Sequence, residues 1–149
     1  MVDDKRAIFV DTSIFYAFLD RDDQDHQTAS NLLEEAREQR ITLATSNFII
    51  AETHALILSR LGQALATRWL RSIPQAARIE RVTRADEMRA RDIIFRYDDK
   101  DFSYTDATSF ALMERLGLVE AFSLDEHFVQ YGRWITRPLH IQRSRRRAR

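Results

Sequence analysis

Short apolar runs that read as strands alternate along this chain with segments whose apolar residues recur every three or four positions, and this alternation restricts the architecture more than any other feature. Ala7-Ile8-Phe9-Val10 is continuously apolar, as expected of a strand buried on both faces of a parallel sheet. Ile14, Phe15, Phe18 and Leu19 then take helical spacing, as do Ala29, Leu32, Leu33 and Ala36 beyond an acidic loop over 20–25. Residues 41–44 read as a second strand, and Ser46 stands where it would cap a helix through Phe48, Ile49, Leu56 and Ile57. Gly62 separates that helix from one carrying Ala64, Leu65, Trp69 and Leu70, which Pro74 is expected to end.

The second half continues the series. A third strand is predicted over 79–82, a helix over 84–96, and, past a polar loop over 97–103, a helix capped by Thr105 and closed by Gly117. A fourth strand over 119–124 and an edge strand over 134–136 follow. Strands connected through helices pair in parallel with right-handed crossovers, so the expected fold is a three-layer α/β/α sandwich around a mostly parallel sheet of four to five strands. With 149 residues the chain has room for one such domain, expected over 1–138, followed by a basic tail over 139–149.

Composition narrows the chemistry. There is no cysteine, which removes disulfides, thiol nucleophiles and thiolate zinc sites, so any metal must be held by oxygen or imidazole. His26 and His54 have no spacing to each other or to a carboxylate that suggests a zinc site. No apolar run approaches the roughly 20 residues of a membrane span, and the first residues show no secretory pattern, so a cytoplasmic location is expected, with no membrane partner. Net charge is zero, but the tail concentrates Arg143, Arg145, Arg146, Arg147 and Arg149, leaving the body with 18 basic against 23 acidic side chains. Such a body binds nucleic acid only through a local basic strip, the tail or bridging cations.

The residues that carry chemistry are acids at strand ends. Asp11 directly follows the first strand and Asp125 the fourth, so both carboxylates emerge at one edge of the sheet, where ligands bind in open α/β folds. Glu52 lies on or beside the apolar stripe of its helix, with Phe48, Ala55 and Leu56 at helical spacing, and Asp106 shares a face with Ser109, Phe110 and Met113. Taken singly, each has an ordinary explanation: a helix cap for Asp11 and Asp125, an arginine partner for Glu52, the helix dipole for Asp106. Together at one sheet edge, four carboxylates repel unless a cation sits among them. Oxygen ligands favour Mg2+ or Mn2+, and metal-assisted phosphodiester hydrolysis is the chemistry such a site performs. Thr12 and Ser13 add hydroxyls that can position substrate or water, or cap the helix that follows. His127, one turn into a helix, is expected to make a structural hydrogen bond.

At these residues the chain resembles PIN-domain nucleases. Val10-Asp11-Thr12-Ser13, Phe48-Ile49-Ile50-Ala51-Glu52, Tyr104-Thr105-Asp106-Ala107 through Phe110, and Ser123-Leu124-Asp125-Glu126-His127-Phe128 are similar to the family's four acidic motifs in order and spacing. The resemblance implies a metal-dependent endoribonuclease, commonly the toxin of a VapBC-type toxin–antitoxin pair, acting on RNA as a homodimer and silenced by an antitoxin protein. It implies Asp11, Glu52, Asp106 and Asp125 as metal ligands and catalytic acids, with a small hydroxyl, Thr12 or Ser13, after the first. Glu126 departs from the basic residue often found there. Phe15, Phe18 and the helices over 57–70 can supply a dimer or antitoxin groove, whereas Trp69 and Trp134 read as packing residues. The alternatives are a catalytically silent PIN-like module that binds RNA or protein, and an aspartate-based phosphotransfer domain. The second lacks the Asp that a dehalogenase-type motif would place at Ser13 and an acceptor Asp after the third strand.

Overall fold

Five parallel strands in the order β3-β2-β1-β4-β5 form the central sheet of the computed structural model, which describes residues 6–139. The strands are β1 (Ala7–Val10), β2 (Thr42–Ser46), β3 (Arg78–Glu80), β4 (Glu120–Phe122) and β5 (Ile135–Arg137). Seven helices complete the α/β/α sandwich: α1 (Thr12–Leu19), α2 (His26–Glu38), α3 (Asn47–Leu61), α4 (Gln63–Ala76), α5 (Arg84–Arg96), α6 (Tyr104–Leu116) and α7 (Glu126–Tyr131). Ile8, Phe9 and Val10 are fully buried, as the unbroken apolar run of β1 requires for the middle strand of a sheet covered on both faces. Except for Leu139, the basic tail lies outside the described residues. No helix among the described residues is long and apolar enough to cross a membrane.

The topology decides where a site can form. From β1 the chain winds outward through β2 to β3, then returns through α5 and α6 to lay β4 on the other side of β1. The β1/β4 junction is therefore the switch point of the sheet, and the crevice beyond its carboxyl ends is the place left open by connections departing in opposite directions. Asp11 follows β1 and Asp125 lies three residues beyond the end of β4, so the two acids flank that crevice.

Several boundaries differ from the sequence expectation for local reasons. Residues 45 and 46 extend β2, whose pairing with β3 reaches Ser46, and Ser46 also caps α3 by accepting from the Ile49 amide at 3.1 Å. Pro74 does not end α4, which runs to Ala76. Proline costs the helix its bond to the carbonyl four residues back, that of Leu70, and Leu70 is an exposed position where water can take the carbonyl. Strand β3 is shorter than expected because Thr83 begins a capping box for α5 and Val82 donates its amide to Asn47 Oδ1 at 2.8 Å. Strand β4 stops at Phe122 because the Leu124 amide leaves the ladder and donates to Ser13 Oγ at 2.8 Å.

Helices α5 and α6 are joined by Asp86, which caps α5 and accepts two bonds from the Arg115 guanidinium, at 2.8 and 3.0 Å. Burial raises the affinity of the Asp86 carboxyl for its proton, but the hydrogen bonds from Arg115 and Thr83 outweigh it and hold the group below the usual carboxylate range. The stabilisation is present at neutral pH and is lost as pH falls through that lowered value. Asp86→Ala removes cap and ion pair together and is expected to cost about 2–3 kcal/mol in urea unfolding at pH 7, shrinking in acid. A loss that stays constant with pH would contradict this assignment.

Candidate active site

Beyond the carboxyl ends of β1 and β4, three aspartates converge from three different elements. Asp11 occupies the N-cap position of α1 but makes no capping bond with its side chain. Its Oδ2 instead accepts from Ser13 Oγ at 2.8 Å and from Ser123 Oγ at 2.9 Å, and the residue is 5% exposed. The ordinary explanation of an aspartate after a strand therefore does not account for Asp11, and neither Thr12 nor Ser13 caps α1. Ser13 is the hinge of the arrangement, because its hydroxyl donates to Asp11 while accepting from the Leu124 amide. Ser123 links the other side, donating to Asp11 and accepting from the Asp125 amide at 3.0 Å.

Asp106 arrives on the first turn of α6. The cap of that helix is Ser103, not Thr105: Ser103 Oγ accepts from the Asp106 amide and Asp106 Oδ2 accepts from the Ser103 amide, both at 3.0 Å. The signal was present in the spacing Ser103-x-x-Asp106, a capping box in which aspartate takes the place of the usual glutamate. Thr105 lies inside the helix, where its carbonyl accepts from Thr108 and Ser109. Asp125 caps α7 by accepting from the His127 amide at 2.9 Å.

His127 does more than the structural bond expected of it. Its Nδ1 lies 2.8 Å from Asp106 Oδ2 and 3.3 Å from Asp125 Oδ1, so the ring bridges two of the acids as it makes that bond. An edge contact from Phe102, with centroids 5.6 Å apart, fixes the ring plane. Asp106, Asp125 and His127 each present a ligand atom within 4.8 Å of the other two, a group able to hold a metal ion. The Asp125-x-His127 spacing is what could have exposed this role: a cap residue and the side chain two positions later face the same crevice.

Glu52 stands apart. The buried line of α3 runs through Ile49, Thr53 and Ile57, and Glu52 falls beside it in an exposed position, so the expected cost of burying its charge does not arise. Its neighbour Thr53 donates to Thr12 Oγ1 at 3.0 Å, which ties this turn of α3 to the start of α1. Glu52 is thus an exposed side chain one residue from that tie, outside the tight group formed by Asp106, Asp125 and His127.

The electrostatics of the cluster are unfavourable as it stands. Burial, followed by the charges of Asp125 and Asp106, pushes the Asp11 carboxyl up to about 7, against the lowering effect of the two serine hydroxyls. Asp125 is also raised, by burial first and by Asp106 second. A cation among these groups removes both penalties. The donor set, carboxylate oxygens with one imidazole and no sulfur, suits magnesium or manganese.

Comparison with known proteins agrees with this geometry. The model of the PIN domain family matches residues 8–133. The 23S rRNA-specific endonuclease VapC20 of Mycobacterium tuberculosis is 35% identical over 133 residues, covering 88% of this chain and 98% of the relative. Ribonuclease VapC26 of the same species is 25% identical over 123 residues, covering 81% and 89%. The crystal structure of M. tuberculosis VapC20, described as a Sarcin-Ricin loop cleaving toxin, superposes with a TM-score of 0.79 at 34% identity, covering 88% of this chain and 99% of that one. VapBC2 from Rickettsia felis, bound to a DNA fragment from its promoter, shares the fold at 12% identity with a TM-score of 0.67, covering 87% and 96%. With its acids at the β1/β4 switch point, its parallel sheet and a family match spanning nearly every described element, the chain belongs to the PIN domain family.

Proposed function

We propose that the protein is a divalent-metal-dependent endoribonuclease that hydrolyses RNA phosphodiester bonds, the toxin half of a toxin–antitoxin pair. The single observation that carries the chemistry is the convergence of Asp11, Asp106 and Asp125, with His127 between the last two, where burial and neighbouring acids raise the proton affinity of Asp11 and Asp125. Asp106, Asp125 and His127 are the inner ligands in this reading, Asp11 completes the cluster, and Glu52 acts from outside it. Mg2+ or Mn2+ held by these residues would supply Lewis-acid activation of water and neutralise charge at the phosphate. Ser13 and Ser123 orient Asp11, and Thr12, tied to Thr53, shapes the floor beside it.

RNA as substrate is supported by the relatives, named as an rRNA endonuclease and a ribonuclease. An antitoxin is supported by structural neighbours described as toxin–antitoxin complexes, from Klebsiella pneumoniae among others. It is supported further by an apolar cleft of about 530 Å³ between α1, α2 and α4, lined by Phe15, Phe18, Leu33, Ile41, Trp69 and Ile73. A cleft of that size and character receives apolar side chains of a partner segment. Association into a homodimer is part of the same reading, with the exposed Met88 and Phe95 of α5 as an apolar face for it.

The test is cleavage of a panel of structured and unstructured RNAs with magnesium, manganese or chelator. Wild type is expected to cut only with a divalent cation, and Asp106→Asn to cut about a thousandfold more slowly or not at all. Cleavage that survives chelation, or that Asp106→Asn leaves intact, overturns the proposal.

A further inference from the structure

Most aromatic side chains of this protein are packed against one another in the interior, where Phe102, Phe110, Phe128, Tyr131 and Trp134 form one continuous set of ring contacts. Phe15 with Trp69 and Phe48 with Tyr104 form two further, separate pairs, the second of them at the protein surface. The centroids of Phe48 and Tyr104 are 6.1 Å apart with planes inclined at 39°, and Tyr104 keeps 41% of its surface exposed. An exposed tyrosine usually samples several rotamers, but the Tyr104 hydroxyl donates to Glu87 Oε1 at 2.9 Å, which anchors the ring from α5.

The pair also occupies an informative place. Tyr104 is the first residue of α6, two before Asp106 and directly after the Ser103 cap that holds Asp106. Phe48 lies on the first turn of α3, four residues before Glu52 and on the same side of the helix. The two rings therefore meet between α3 and α6, the helices that carry Glu52 and Asp106, with Tyr104 two residues from Asp106 in the chain. The exposed Arg91 of α5, whose guanidinium lies over the Phe95 ring at 5.6 Å, is within electrostatic reach of the Tyr104 phenol.

We propose that Phe48 and Tyr104 are a stacking platform for one unpaired nucleobase, which sets the adjoining phosphate over the acid cluster. The idea rests on the ribonuclease reading above. The physical need for it comes from charge: a crevice lined by carboxylates repels a polyanion and the body of the protein is net acidic, so contacts that do not depend on charge add to what the arginine tail and bridging cations supply. Base–aromatic stacking is such a contact, sequence-tolerant and strong. The platform selects loops and single strands, whose bases are free to leave their stack, over paired RNA.

The probe is a short single-stranded RNA carrying 2-aminopurine at one position, titrated with full-length protein in chelator so that no bond is cut. Stacking on wild type quenches the 2-aminopurine fluorescence. Tyr104→Leu, which keeps apolar bulk but has no π face, is expected to abolish the quench and weaken binding about tenfold. Tyr104→Phe retains both. Under cleavage conditions Tyr104→Leu raises KM about tenfold with kcat little changed, as loss of uniform binding requires. Equal quenching and equal KM for wild type and Tyr104→Leu overturn the platform, and if wild type still cleaves in a metal- and Asp106-dependent manner the ribonuclease reading stands without it. Quenching that depends on Tyr104 in a protein that cuts no RNA has the opposite meaning. Sedimentation of the same variants separates a third outcome: dissociation of a dimer by Tyr104→Leu makes the ring a subunit contact and also overturns the proposal.

Discussion

Asp11→Asn is expected to melt at a higher temperature than wild type in chelator at pH 8. An ordinary aspartate gives up its proton near pH 4, whereas burial and the neighbouring charges of Asp125 and Asp106 hold the folded-state value at about 7. Between those values the folded chain binds more protons than the unfolded one, so stability falls as pH rises through that window and is lowest above it. About three pH units correspond to roughly 4 kcal/mol as an upper limit, and relaxation around the charge leaves about 2 kcal/mol as the expected gain on removing it. For a chain of this length that is an increase of about 4–8 °C. The difference is expected to vanish below about pH 3, where the wild-type carboxyl is neutral in both states. Calorimetry across pH checks this, and a variant less stable than wild type at pH 8 would show that the Asp11 charge is already compensated within the fold.

The second large effect is the response to cations. Magnesium or manganese is expected to raise the melting temperature of wild type, since a ligand that binds only the folded state stabilises it by about 2.7 kcal/mol at one hundred times its dissociation constant. Asp125→Asn removes one of the three groups able to hold the ion, together with a source of repulsion felt by Asp11, so it should be more stable than wild type without metal and respond little to it. The crossing of the two melting curves with added cation is the diagnostic. Identical responses from both proteins would place the ion elsewhere.

These expectations rest on features that sequence reading reaches unevenly. Strand β1 and the place of Asp11 after it were legible because a buried parallel strand is an unbroken apolar run, whereas the strand before Asp125 reads two residues too long, since β4 ends at Phe122. Helix α5 agreed at both ends, Arg84 and Arg96, because Thr83 begins a strong cap and the apolar period is clear. The cap of α6 was misplaced by two residues because serine and threonine are both good caps, and only the reciprocal bond from Asp106 decides for Ser103. Pro74 misled because a proline near a helix end costs only a carbonyl that water can serve. Glu52 looked buried because Phe48, Ala55 and Leu56 share its side of α3, yet packing uses the line through Ile49, Thr53 and Ile57, a rotation of part of a turn that spacing alone does not fix. The spacing Asp125-x-His127 was a local signal for one side of the His127 bridge, but its bond to Asp106 and that of Ser123 to Asp11, 112 positions away, cross between elements and no local pattern encodes them.

That long reach bears on the order of events during synthesis. The first acid, Asp11, emerges at the start of the chain, but the strand that pairs with β1 on its other side is β4, and the hydroxyl that orients Asp11 belongs to Ser123. Contacts so distant in sequence form only when nearly all the polypeptide has left the ribosome. A nascent chain that stops before β4 has Asp11 and Asp106 but neither Asp125 nor His127, so it has no ion-binding group. Completion of the acid cluster is thereby among the last steps of folding, since it waits for β4 and α7 to be made.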